Sequence, residues 1–147
     1  MSFLATIALS GGAAGVLDIT ATGTLMRVTG TRFQRLLQFV ASGALGSRAF
    51  EGGFATALQG LLLHFLIAIL WAAAYLALTL HLHIALSHPW LSGALYGVLV
   101  HLLMSLVVVP NSRAARRPFA WTAWLTQLAI HIGCVGLPIA LVQAYLG

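Results

Sequence analysis

Four stretches of the chain, about 3–26, 54–80, 90–110 and 119–146, are apolar almost without interruption. Each reaches the roughly 20 residues a helix needs to cross a hydrocarbon layer of about 30 Å. Continuous runs of this length predict membrane helices and not the short alternating segments of a barrel. Between the first two runs, Phe33, Leu36, Leu37 and Val40 recur at helical spacing, with Arg32, Gln34, Arg35 and Gln38 off that stripe. The pattern predicts a short helix over 32–41, either lying on the membrane face or packed beneath the bundle. Thr31 followed by Gln34 fits a capping box, the four glycines of 42–53 should break the helix, and Glu51 can pair with Arg48. The expected fold is all-α: one four-helix transmembrane domain over 1–147, with a short cytoplasmic interfacial helix between spans one and two.

Composition sharpens this picture. Of 147 residues, 61% are hydrophobic and 6% charged, against about 25% charged in soluble domains. With a mean hydropathy of +1.00, the chain could not cover its surface with polar side chains, which excludes soluble enzymes and disordered regulators. Seven Arg face one Asp and one Glu, and they fall in two loops: Arg27, Arg32, Arg35 and Arg48, then Arg113, Arg116 and Arg117. The basic balance therefore records topology and not nucleic-acid binding. Under the positive-inside rule both loops are cytoplasmic, and both termini and the stretch 81–88 face the periplasm of a bacterial inner membrane. Arg32, Arg35, Arg113, Arg116 and Arg117 are placed to meet lipid headgroups. Trp121 and Trp124 mark one interface, Trp90 and Tyr145 the other, and Trp71 lies mid-span. Residues 1–15 lack a basic leader and contain Gly11-Gly12, so they read as a span and not as a cleaved signal.

Small residues and prolines punctuate the spans. Gly11 with Gly15, and Gly93 with Gly97, form G-x-x-x-G pairs suited to close helix contact within the bundle or between copies. Pro110-Asn111-Ser112 should end span three as a turn, Pro118 should start span four from its first turn, and Pro138 should kink the helix by freeing the carbonyl of Cys134.

The candidate chemistry lies in residues that lipid disfavours. At about 1.5 Å per residue from the arginine-rich ends, Asp18, His64, His101 and His131 lie roughly 12 to 18 Å deep, one in each span. Ionisable groups at that depth face the bundle interior and one another, which predicts a shared internal site. Imidazole and carboxylate suit a proton or small-solute path. His64, His101 and His131, with Cys134 adding a thiolate, also suit a metal ion, and two His suit haem. Polar glue between helices, at around 0.6 kcal/mol per contact, needs no ligand. A lone Cys134 excludes an intramolecular disulfide and fits simple packing as well. His81, His83 and His88 form a looser group at the far end, and no nucleotide-binding, nucleophile-elbow or zinc-protease motif is present.

The runs LQFVASGALG (37–46), AFEGG (49–53), HFLIA (64–68), VVVP (107–110) and GLPIA (136–140) together resemble a family of small four-span bacterial inner-membrane proteins of unknown function, and more distantly the YagU-like inner-membrane proteins. The resemblance covers nearly the whole chain, and ASGxLG and AFxGG are its more specific motifs. It implies a four-helix inner-membrane fold and carries no activity. His64 and His131 fall inside matching motifs, whereas at His101 the resemblance implies an aromatic residue, which favours a polar network over a full metal shell. The reading is a small membrane component without enzymatic chemistry, structural or conducting protons or a small solute, in several copies or with a membrane partner. Its rival is a metal or haem protein of redox chemistry or electron transfer.

Overall fold

The computed structural model describes residues 1–81, 87–115 and 118–147, and these are helical with no strand. Helix α1 (Phe3–Val28) opens at Ser2, whose hydroxyl accepts the Ala5 N–H at 3.3 Å. Helix α2 (Phe33–Leu45) follows and leads through a 3₁₀ turn (Gly46–Phe50) to α3 (Gly53–His81). Helices α4 (Pro89–Asn111) and α5 (Trp121–Leu146) complete the chain. Four of these, α1, α3, α4 and α5, are long and apolar enough to cross a membrane, so the chain forms a multi-pass helical bundle. Leu4, Leu62, Leu66, Leu91, Leu95 and Leu106 are all more than half exposed, an apolar surface suited to lipid and not to water.

Helix α2 is packed against the bundle. Gly60 of α3 approaches the Leu37 carbonyl so closely that no Cβ would fit, and the Phe33 ring lies over Gly23 of α1. This contact widens the buried arc beyond the apolar stripe to Gln38, Ala41 and Ser42. Gln38, expected on the outer face, instead donates from Nε2 to the Gly53 carbonyl at 3.1 Å and to Thr56 Oγ1 at 3.4 Å. The helix also outruns its expected end. Buried Ser42 bonds the Phe39 carbonyl at 2.6 Å, and the chain turns only at Gly46, whose φ of 65° favours a residue without Cβ.

Other local expectations fail for identifiable reasons. The α2 N-cap is Arg32, without a side-chain bond, so Thr31 and Gln34 form no capping box. Glu51 meets Arg48 through its backbone, donating its N–H to the Arg48 carbonyl at 3.1 Å. The only ion pair among the described residues lies elsewhere. Pro118 precedes the start of α5 at Trp121 instead of opening it. By contrast, α4 ends within the expected Pro110-Asn111-Ser112 segment, at Asn111 with Ser112 as its C-cap. The two prolines beyond the first turn of a span, Pro110 and Pro138, are each preceded by a π-helical turn, Met104–Val108 and His131–Gly136. The wider turn accommodates a residue that lacks an N–H and whose ring crowds the preceding turn.

Both G-x-x-x-G pairs are used inside the bundle. Gly11 lies against the Ile69 backbone and Gly15 against the Phe65 ring of α3, while Gly93 and Gly97 meet α5 at Gly136 and Ile132. Away from the arginine-rich end these contacts enclose a core of Ala14, Ala72, Tyr75, Tyr96, Val100, Val135, Ile139 and Ala140. A second, smaller core of Ile19, Leu36, Leu37 and Ala57 sits where α2 joins α1 and α3.

Candidate functional site

Between the two cores the helices part around a cavity of about 460 Å³. Asp18 of α1, His64 of α3, His101 of α4 and His131 of α5 all line it. The remaining wall is largely apolar, including Phe39, Trp71, Phe119 and Trp124, and no Arg or Lys contributes among the described residues. The lining reaches from Trp71 and Val135 mid-bundle to Phe39, Val40, Val109 and Phe119 at the arginine-rich end.

The four ionisable residues divide into two pairs. His64 donates from Nε2 to the Gly15 carbonyl at 2.9 Å, a bond whose direction is fixed because a carbonyl only accepts. Its Nδ1 therefore faces Asp18 Oδ2, 3.9 Å away. With His64 neutral that nitrogen carries a lone pair, and a lone pair opposite an ionised carboxylate is repulsive. The pair is favourable when one proton belongs to it, as imidazolium with carboxylate or as imidazole with carboxylic acid.

The second pair is ordered by the same logic. His131 Nδ1 lies 2.7 Å from the Gln127 carbonyl and must donate to it. The same nitrogen is 3.4 Å from His101 Nδ1, which must then be an acceptor. His101 consequently carries its hydrogen on Nε2, and that atom is buried without a partner. Asp18 Oδ1 is likewise buried and unpartnered. Trp124 meets the His101 ring edge to face, with centroids 4.6 Å apart. It stands in the first turn of α5, and its ring forms part of the cavity wall. Both pairs line the same cavity.

The metal set read from the sequence does not assemble. Among the described residues no three His, Cys, Asp or Glu side chains come together as a metal-holding group. His64 is turned to Asp18 and the Gly15 carbonyl, while His131 spends Nδ1 on the Gln127 carbonyl, so the three imidazoles and Cys134 do not converge. At the far end, His81 donates to the Ala77 carbonyl at 3.0 Å and His88 Nδ1 lies 3.1 Å from Ser87 Oγ; His83 falls outside the described residues. Of the arginines read as headgroup contacts, Arg32, Arg35 and Arg113 are exposed, with Arg35 also stacked 4.3 Å over Phe50. Arg116 and Arg117 lie outside the described residues.

Beyond the cavity stands a network that reading only ionisable residues misses. Tyr96 donates to the Trp71 carbonyl at 2.6 Å, and Tyr75 and Ser92 share a hydrogen bond of 2.8 Å. Gln143 donates to Ser10 Oγ at 3.1 Å and to the Ala72 carbonyl at 2.8 Å. These bonds tie all four spans across the end of the cavity. The signal for them was the uncharged polar side chains within apolar spans.

The fold and this interior define a helical membrane protein with a hollow, ionisable centre. No protein-family model, curated protein or solved structure matches the chain.

Proposed function

We propose that this chain is a bacterial inner-membrane protein that takes up protons from its arginine-rich face and passes them, alone or with a small solute, through Asp18 and His64. The observation that carries the reading is the facing of His64 Nδ1 and Asp18 Oδ2 across 3.9 Å on the wall of a cavity lined from all four spans. A proton arriving there has a defined place between the two atoms. The second pair, His101 with His131, lines the same cavity. Release at the far end requires the bonds around Tyr75, Tyr96 and Gln143 to open, and the two π turns beside the cavity are weak points in α4 and α5 where that movement can start.

The arginine distribution supports cytoplasmic loops and periplasmic termini. The likeness of its motifs to the small four-span inner-membrane family and the YagU-like proteins fits this placement.

Proton flux into liposomes under an imposed pH gradient tests the proposal. Asp18→Asn keeps the size of the side chain and removes its proton site, so flux should fall about a hundredfold or more, the scale of a lost acid–base group. Unchanged flux in a variant that retains its thermal stability would sink the reading and leave interhelical glue as the role of the cluster.

A further inference from the structure

We infer that the cavity binds an organic ammonium ion with an apolar body, which occupies Asp18 in exchange for the proton the Asp18–His64 pair holds. The inference rests on the proton-carrying reading above and adds the class of solute. Its basis is the sign of the hydrogen-bonding groups. Both ring tautomers are fixed from behind, by the Gly15 carbonyl on His64 and the Gln127 carbonyl on His131. Once the pair has given up its proton, His64 Nδ1 and the oxygens of Asp18 offer only lone pairs, Oδ1 having no protein partner, and Nε2 of the cavity-lining His131 is a lone pair as well. Among the four ionisable side chains the one donor set against these acceptors is His101 Nε2–H, and the other donors on the wall, from Thr22, Trp71, Ser105, Trp124 and Gln127, are all uncharged. The titratable groups around the carboxylate are His64 from α3 and His131 and Cys134 from α5, with His101 of α4 on the same cavity. None is a fixed cation, so Asp18 is the single group whose charge asks for a counter-charge.

An acceptor-rich, anionic centre calls for a donor-rich cation. An ammonium group supplies up to three N–H donors, and the rings of Phe39, Trp71, Phe119 and Trp124 supply apolar contact and negative faces for it. The cavity volume of about 460 Å³ lies within the range of small-molecule sites, about 300 to 1,000 Å³. The exchange balances without an outside reagent. A free amine reaching the site takes the shared proton on its nitrogen lone pair and stays as ammonium on the carboxylate. Counted from bulk water, where the amine is already protonated, one ammonium enters and one proton leaves.

The test uses the full chain in lipid nanodiscs, with 2-phenylethylamine as the probe and empty nanodiscs as the blank. Calorimetry in two buffers of different ionisation enthalpy should give saturable binding and release of about one proton per amine, since each exchange swaps one unit charge for another. The isosteric 2-phenylethanol should bind about tenfold or more weakly, because it brings no charge-assisted donors. The trimethylammonium analogue keeps the charge but has no N–H, and it should also bind about tenfold more weakly. Asp18→Asn should cost about thirtyfold or more in affinity, the least expected when one partner of a buried charge pair is removed. Equal binding of amine and alcohol, equal binding of the trimethyl analogue, or amine binding without proton release overturns the inference without requiring any variant to fold. Absence of amine binding alongside Asp18-dependent proton flux rejects the ammonium ligand and leaves the proton reading standing. Flux insensitive to Asp18→Asn removes both.

Discussion

The two halves of the bundle are built on opposite principles. Toward the end bearing Pro89, glycine meets glycine across α4 and α5, Ala14, Ala72, Ile139 and Ala140 are fully buried, and Tyr75, Tyr96 and Gln143 have their polar atoms bonded into neighbouring spans. Toward the arginine-rich end, the same helices leave a cavity, interrupt their regular hydrogen bonding with two π turns, and leave two buried polar atoms, on Asp18 and His101, without partners. Gln143 Oε1 is the exception in the tight half. Lipid offers no hydrophobic drive to pull helices together, so stability comes from close packing and interhelical bonds. The first half supplies both. The second half keeps them where α2 meets α1 and α3 and gives them up around the four ionisable residues, a pattern expected where local stability yields to a site. The difference predicts that substitutions in the tight half act on folding and substitutions around the cavity act on function.

The largest effect should come from Gly136→Leu. A Cβ at this position would run into the Gly93 carbonyl and the Gly97 backbone, and because the clash is with backbone, no choice of rotamer relieves it. The cost should exceed about 3 kcal/mol, the upper end of ordinary overpacking. Unfolding in mixed micelles followed by far-ultraviolet circular dichroism measures it. A variant as stable as the wild type would show that the two halves are not packed differently.

Gln143→Leu probes the same half more gently. The substitution removes the donor to Ser10 Oγ and the Ala72 carbonyl while keeping most of the volume. At about 0.6 kcal/mol per interhelical bond in membranes, the loss should be about 1 kcal/mol. The same unfolding assay reads it. A larger loss, of about 3 kcal/mol, would mean that the network and not glycine packing holds this end together.

How much of this was visible beforehand follows from what each signal encodes. The spans were legible because length and apolarity are local properties, and Phe3, His81 and Asn111 fall within a few residues of the expected ends. That one ionisable residue per span would share a site was legible because all four had to avoid lipid. How they pair was not. Pairing depends on rotation about each helix axis, and that rotation is set by Gly15 against Phe65 and by Gly97 against Ile132. Gln38 was misplaced for a related reason, since a stripe on α2 shows which face is apolar but not how wide a contact α3 will make. The rule that marked Trp124 by its place at the start of a span carries no information about the His101 ring it packs against. Pro138 was marked as a point of disturbance, but that the helix meets it with a π turn depends on the surrounding packing.

The smallest change in stability, with a large one in function, is expected from Ser105→Leu. Ser105 lines the cavity, and its hydroxyl does no more than return to the His101 carbonyl of its own helix at 2.7 Å. Such a back-bond is slightly destabilising to a helix, so its loss costs little, and the leucine side chain buries apolar area in space that is otherwise empty. Stability should shift by less than about 1 kcal/mol, in either direction. Proton flux and amine binding should both fall, because the added methyl groups occupy the space beside His101 through which a ligand reaches Asp18. A variant that keeps both activities would show that the solute bypasses α4, and the route would then have to run along the Phe39 and Ile67 wall between α2 and α3.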